Sequence, residues 1–329
     1  MLSSGMIYQV KGGTTGEAMN VLIVGAGALG SLIGARLSKT RASVSLFSTN
    51  REHMEAIRQV GLDIEELDGT VRNYTLTTCF EADKLPRNPD LVLVLVKTYS
   101  TQMALSLVHG LCSTSSVFLT LQNGIGNWER IAEIAGKGAV LAGSTAQGST
   151  MLGPGLIRHG GNGPTYIGEP GGSASERVRR LVELFREAEL VAEPSDEVER
   201  LIWEKLVINV GINAITGLTG IRNGFIAEMQ EATDLCRSAV EEAIIVAGSK
   251  GFPVGADMIH RVISVARATA RNRSSMGQDV DKKKRTEIDA INGAVVRFGK
   301  EAGIPTPVNL TLTLLMKVLE AQYAGQRTP

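Results

Sequence analysis

Aromatic residues are scarce in this 329-residue chain: two Trp, five Tyr and seven Phe make up 4% of it. Its core must therefore be built from Leu, Ile, Val and Ala. Cysteine is scarcer still. Cys79, Cys112 and Cys236 are odd in number and widely spaced, which excludes a disulfide scaffold, offers no zinc pattern and fits a reducing cytosol. The plainer reading of all three is as small buried hydrophobes. Net charge is absent, because 34 Lys and Arg balance 34 Asp and Glu, and that argues against a strongly basic nucleic-acid binder. No apolar run approaches the roughly 20 residues that cross a bilayer. His53, His109, His159 and His260 have neither metal-ligand spacing nor the pattern of a catalytic triad.

What remains is an ordinary globular composition, 43% hydrophobic and 21% charged, with length enough for two domains of roughly 150 residues each. Met1 to Ala18 lack a charged segment followed by an apolar core, so they do not read as a signal peptide. They read as a loosely ordered extension or an upstream start, since Met19 directly precedes a buried strand.

From Met19 short apolar runs alternate with helix-length segments. The runs are Val21–Val24, Ser43–Phe47, Leu91–Val96, Val117–Leu121 and the stretch around Val140-Leu141. Unbroken β-branched runs indicate strands buried on both faces, as in a parallel sheet covered by helices. Leu29–Lys39 between the first two makes a βαβ unit. Asp68-Gly69 predicts a hairpin within Leu62–Thr78, and Gly160–Pro164 predicts an edge hairpin within Leu156–Gly168. Ser173–Leu190 reads as an amphipathic helix. Beyond Pro194 everything reads helical, starting at an N-cap at Ser195 and running through helices near 195–216, 225–250, 255–270, 280–302 and 307–323. An extension (1–18), an α/β domain (19–192) and an all-helical domain (193–329) follow.

Two patterns carry chemistry. Gly25-Ala26-Gly27-Ala28-Leu29-Gly30 fits G-x-G-x-x-G between the first strand and first helix. The first glycine permits a tight turn, the second lets backbone approach a pyrophosphate, and the third allows close helix–sheet packing at a helix N-terminus that attracts anions. The alternative is a purely structural turn. An acidic residue that would hold the ribose hydroxyls is missing after the second strand. Phe47 leads instead into Ser48-Thr49-Asn50-Arg51, a set that favours the 2′-phosphate of NADP(H) over NAD(H), unless Arg51 is merely a solvated loop residue.

The second pattern is a polar line on an apolar helix: Lys205, Asn209 and Asn213 at i, i+4 and i+8 between Leu201 and Ala214. Burying an ammonium and two carboxamides is costly unless something polar lies against them. A substrate in an interdomain cleft is such a partner. Against it stands the plainer reading, in which Lys205 snorkels and the asparagines bond other helices. Lys205 has the chemistry to polarise a ketone and give its oxygen a proton. Lys97-Thr98 and Gln122-Asn123-Gly124 end strands at the rim where open α/β sheets bind ligands, or are a surface charge and a turn. Ser274-Ser275 alone reads as a helix cap, Glu287 as a surface charge, and Lys282–Arg285 as a solvated face.

Taken together the chain resembles the 2-dehydropantoate 2-reductase (ketopantoate reductase) family from Met19 to its last helix. The motifs that carry this are Gly25–Gly30, Lys97-Thr98, Gln122-Asn123-Gly124, Trp203-x-Lys205-x3-Asn209-x3-Asn213, Ser274-Ser275-Met276-x2-Asp279, and Thr286-Glu287-Ile288-Asp289-x-Ile291-Asn292-Gly293. The resemblance implies an N-terminal Rossmann-type doubly wound sheet, a helical C-terminal domain, and NADPH-dependent reduction of 2-dehydropantoate to (R)-pantoate, a step toward pantothenate and coenzyme A. It implies Lys205 as proton donor, with Asn123, Asn209, Asn213, Asn223 and Ser275 as substrate contacts. Gly25 to Gly30 (with Ala26, Gly27, Ala28 and Leu29), Lys97, Asn123 and Glu287 become cofactor contacts beside Arg51. The family's alanine after the Val140 strand is replaced here by Gly148-Ser149, so Ser149 is the contact expected there. The expected partner is a small 2-oxo acid, without nucleic acid or membrane, and a homodimer stays open. The alternatives are a paralogue acting on another 2-oxo acid and a non-catalytic NADP-binding redox sensor, for which a retained Lys205 has no use. A methyltransferase would want an acid after Phe47, and none is there.

Overall fold

The computed structural model describes residues 18–255 and 257–325; the expectation for Met1–Ala18 lies, Ala18 apart, outside the described residues. In chain order the α/β part comprises β1 (Asn20–Val24), α1 (Ala28–Leu37), β2 (Ser43–Phe47), α2 (Arg51–Val60), β3 (Leu62–Glu65), β4 (Val71–Tyr74), β5 (Thr77–Cys79), β6 (Leu91–Val94), α3 (Thr101–Val108), β7 (Val117–Thr120), α4 (Asn127–Ala135), β8 (Val140–Gly153), β9 (Leu156–Gly168), α5 (Glu176–Glu187) and β10 (Ala192–Pro194). The helical part comprises α6 (Val198–Thr219), α7 (Phe225–Glu228), α8 (Gln230–Ser249), α9 (Met258–Ala268), α10 (Ser275–Asp281), α11 (Asn292–Ala302) and α12 (Pro307–Gly325). The chain forms two compact units. One runs to Gln122 and resumes over Gly126–Val198; the other holds Asn123–Ile125 and everything from Glu199 onward.

The first unit is a Rossmann-type doubly wound fold. Its sheet has the order β4-β3-β9-β8-β7-β6-β1-β2-β5, with β10 beside β9, and β8 through β5 run parallel. The apolar runs of β1, β6 and β7 are uninterrupted because both faces are covered. Alternate residues Val21, Ile23, Leu91, Leu93, Val117 and Leu119 pack with α1 and α5. Their neighbours Leu22, Val24, Val92, Val94 and Phe118 pack with α3 and α4 on the other face. The chain leaves β1 for β2 on one side and returns to β6 on the other, so a crevice opens at the carboxyl end of β1.

Two local expectations are revised. The Asp68-Gly69 hairpin forms, with Gly69 at φ +81° and Thr70 N–H donating to Asp68 Oδ1 at 3.0 Å, but it docks on β9 while β5 returns to β2. Gly160–Pro164 do not turn. They lie inside the continuous strand β9, antiparallel to β8, and the reversal falls at Pro154-Gly155 with Gly155 at φ +71°. The glycines serve close approach instead, since a Cβ on Gly163 would lie 2.6 Å from that of Ala146.

The second unit is all helical around α6, whose Trp203, Leu206, Val207, Val210 and Ile215 sit in one core with residues of α8 to α12. Among the described residues this one helix is long and apolar enough to cross a membrane, contrary to the sequence expectation. Two-thirds of its apolar window (67%) is buried, as in a core helix. The helix begins at Val198 rather than Ser195, because Asp196 instead accepts the Ala174 N–H at 2.6 Å. The helix expected over 225–250 breaks at an extended Met229. That over 280–302 is divided: α10 ends at Asp281, Lys283 takes φ +50°, and α11 starts only at Asn292.

Gly25 shows how tightly β1 meets β6. It has φ +105°, and a Cβ there would lie 2.3 Å from the Val96 backbone nitrogen. Gly25→Ala should therefore cost about 3 kcal/mol or more, read as a lowered urea midpoint at unchanged slope.

Candidate functional site

In the first unit the glycine turn is folded back on the sheet. The N–H groups of Gly25 and Ala26 both donate to the Phe47 carbonyl, at 2.9 and 3.1 Å, and Gly27 N–H donates to Gly25 O at 2.8 Å. Gly30 is demanded by that turn, since its Cβ would lie 2.3 Å from the Gly25 carbonyl oxygen. Gly27 is not demanded by anything in the chain. It has an ordinary φ of −78°, and an added Cβ would meet nothing within 4 Å. Gly27 caps α1 without a side-chain hydrogen bond, and no acid lies in the first turn beside Ala28 and Leu29. Space kept open before uncapped amides fits a pyrophosphate.

The neighbouring turns converge on the same rim. Leu95 N–H donates to Val24 O at 2.8 Å, so the chain leaves β6 alongside the start of the glycine turn, with Lys97 two residues beyond Leu95. Gln122 Nε2 donates to Val96 O at 2.6 Å and to Thr101 Oγ1 at 2.8 Å. After β2, Asn50 Oδ1 caps α2 by accepting the His53 N–H at 3.2 Å. Arg51 opens that helix with its side chain largely exposed, donates to Glu55 at 2.8 Å and lies over the Phe80 ring at 4.9 Å. The Glu55 bond holds its pKa above the usual arginine value. Ser149 stands apart from this rim. It lies on the arm of β8 beyond the β7 pairing, opposite His159 on β9.

The second unit gathers the other candidates. Lys205 is half-buried on α6, and burial pushes its pKa down to about 8 while Glu287 pulls it back up. Glu287 is itself buried and precedes a single turn of 3-10 helix at Ile288–Ala290. The Ile125 N–H donates to the Ala290 carbonyl at 3.2 Å. Gly124, at φ +83°, lies so close that its Cβ would be 2.6 Å from the same oxygen. Asn123 is thereby carried on the segment that bears Glu287.

Further along α6 the polar line meets α10. Asn213 Nδ2 lies 3.4 Å from Ser275 Oγ. Ser274, the cap foreseen in the sequence, accepts the Gly277 N–H at 3.0 Å and also bonds Thr216 at 2.7 Å, which pins α10 to α6. Arg273 strengthens the pin: it donates to the Thr216 and Ile221 carbonyls and grips Asp281 with two bonds of 2.9 Å. Nothing in the sequence singled out Arg273 or Thr216, because the bonds that tie them to each other, to Ser274 and to Ile221 span more than 50 residues of chain. Asn223 donates to Thr269 at 2.9 Å, yet its Oδ1 is buried without a partner, as is Asn209 Nδ2. Such atoms cost about 1–3 kcal/mol each until something bonds them, and a polar ligand is one partner that would.

Comparison with known proteins identifies the family. Residues 21–172 match the family described as "Ketopantoate reductase PanE/ApbA", and residues 197–320 match its C-terminal counterpart. A 2-dehydropantoate 2-reductase of Halobacterium salinarum is 35% identical, over 92% of this chain and 99% of its own. Among solved structures, a PanE/ApbA family ketopantoate reductase from Ralstonia eutropha aligns with TM-score 0.86 at 30% identity, covering 93% of this chain and all (100%) of the other. A D-mandelate dehydrogenase, solved with NADH and anilino(oxo)acetate, aligns with TM-score 0.87 at 25% identity, with the same 93% and 100% coverage.

The asparagines of the helical unit offer a direct test of which of them hold the fold. Asn309 donates to Ala239 O and Glu242 and accepts from Asn292, all within 3 Å, so Asn309→Ala should cost about 3 kcal/mol or more. Asn209→Ala removes no such bond and should change stability by less than about 1 kcal/mol in the same denaturant titration.

Proposed function

Because the chain belongs to the ketopantoate reductase family, we propose that it reduces 2-dehydropantoate to (R)-pantoate with NADPH, supplying pantothenate and coenzyme A synthesis. The observation that carries this reading is Lys205, a half-buried ammonium facing Glu287, in line with an asparagine whose Nδ2 is buried and unbonded. The open space at Gly27 and the uncapped first turn of α1 suit the pyrophosphate, with Gly25 to Gly30 as its cradle and Lys97 beside it. Ser48 and Arg51 suit a 2′-phosphate, the feature that favours NADPH over NADH. Glu287 adds a cofactor contact by family resemblance, whereas Ser149 lies on the β8 arm apart from that rim. When bound, the nicotinamide supplies a hydride to the ketone carbon.

The chain's own residues handle charge and position. Lys205 holds the proton that the ketone oxygen must gain. Burial weakens its hold on that proton, while Glu287 keeps it charged near neutral pH. An ammonium against the carbonyl also stabilises the negative charge that develops on oxygen. Asn209, Asn213, Asn223 and Ser275 present carboxamides and a hydroxyl to the substrate's carboxylate and alcohol, binding them without adding charge. Asn123, fixed by Gly124 on the Glu287 segment, serves both substrate and cofactor. A second reading, reduction of a different 2-oxo acid, is favoured by one finding: the structural likeness to D-mandelate dehydrogenase is as strong as that to a ketopantoate reductase.

NADPH oxidation should be followed with 2-dehydropantoate against a panel of 2-oxo acids; kcat/KM at least about tenfold higher for 2-dehydropantoate is expected. Turnover only with another panel member would favour the second reading. Arg51→Ala should raise KM for NADPH and leave NADH nearly unchanged.

Lys205→Ala should lower kcat by about 10²–10⁴. In the wild-type protein kcat/KM should fall as pH rises through about 8, where Lys205 loses its proton. The same lowered pKa makes the unfolded chain bind the extra proton between about 8 and the unperturbed value of 10.5. Lys205 should therefore add stability as pH climbs through that window, in contrast to its effect on rate.

A further inference from the structure

One fully buried polar group in the first unit has no part in the proposed chemistry: the imidazole of His53, on the first turn of α2. Two bonds fix its protonation. Gly155 N–H donates to Nδ1 at 2.9 Å, so Nδ1 is an acceptor and the ring proton sits on Nε2. Nε2–H then donates to Ser31 Oγ at 2.9 Å. That leaves the Ser31 hydroxyl proton for the Ala26 carbonyl, 3.4 Å away. Burial pushes the pKa of His53 down to about 4, so the ring is neutral across the working range.

The chain of bonds thus runs from the turn between β8 and β9, through α2, to the residue after Gly30 and back into the glycine turn. Its ends matter. Ser31 and Ala26 belong to the segment that would cradle the pyrophosphate. His53 lies two residues after Arg51, and its backbone N–H is the one capped by Asn50, in the segment that would meet the 2′-phosphate. A leucine would fill such a site without the cost of burying an imidazole. We propose that His53 is a positioning residue for the dinucleotide: through Ser31 it fixes the first turn of α1 against the first turn of α2, and so sets the spacing between the pyrophosphate cradle and the ribose-phosphate turn. Gly155, whose own Cβ would lie 3.1 Å from that of Ala56, anchors the far side of the ring. This inference rests on the dinucleotide reading of the first unit.

The test compares Ser31→Ala, His53→Leu and the double variant, with NADPH affinity measured by nucleotide fluorescence and steady-state kinetics on the full chain. Ser31→Ala removes one hydroxyl, so its melting temperature should stay within about 3 °C of wild type. Its Kd for NADPH should nevertheless rise about tenfold, while KM for the oxo acid at saturating NADPH stays within about twofold. His53→Leu should move Kd in the same direction, and the double variant should be no weaker than the weaker single variant, because both break one chain. A Ser31→Ala protein that binds NADPH within about twofold of wild type overturns the proposal. So does a double variant whose losses multiply. Should His53→Leu fail to fold, Ser31→Ala decides alone. If the wild-type protein binds neither NADPH nor NADH, the dinucleotide reading itself falls and this inference falls with it.

Discussion

A polar group taken out of water costs free energy until another group bonds it, and the helical unit is organised by where that cost is met within the chain and where it is not. Asn309 is wholly inside, and its amide is answered by the Ala239 carbonyl, Glu242 and Asn292. Glu242 in turn accepts the N–H groups of Val308 and Asn309, and so closes the start of α12 from a distance. Glu204 is held between Arg200 and Arg261. Asn209 and Asn223, on the same unit, are left with buried atoms that nothing answers. Chemically identical side chains thus differ in how fully the chain itself answers them.

The first unit obeys a steric version of the same logic. Gly25 and Gly30 are small because backbone lies against them, and Gly27 is small although nothing does. The close approach of the backbone after β6 fixes Gly25, and the Gly25 carbonyl fixes Gly30. Nothing in the chain requires the third to be small, and space stays open beside it. The six residues Gly25–Gly30 thus hold two glycines that the fold demands and one that it does not, and distance to the nearest atom tells them apart.

Much of this was legible in sequence. The unbroken apolar runs of β1, β6 and β7 announced strands covered on both faces, and Gly25–Gly30 announced the turn between β1 and α1. The i, i+4, i+8 line of Lys205, Asn209 and Asn213 was visible as a conflict with its apolar surroundings. Long-range pairing was not legible. Gly160–Pro164 have the composition of a turn, and only the presence of β8 alongside makes them strand, since the preference for a close partner outweighs local propensity. The division of the helix expected over 280–302 depends on a left-handed Lys283, which no apolar pattern reveals. His53 was passed over for a similar reason: its partners Ser31 and Gly155 are 22 and 102 residues away, and histidine spacing carries no trace of them.

Asn123, Gly124 and Ile125 come from the middle of the α/β sequence but belong to the helical unit, where Ile125 is part of the core. The polypeptide therefore passes from one unit to the other three times rather than once. As a ribosome delivers it, the α/β half can be finished while Ile125 still has nothing to pack against. The helices completed last then close around a residue made long before them. Neither half is a cassette that evolution or a cloner can lift out at residue 198, because a cut there leaves one piece with an orphaned isoleucine and the other with a hole.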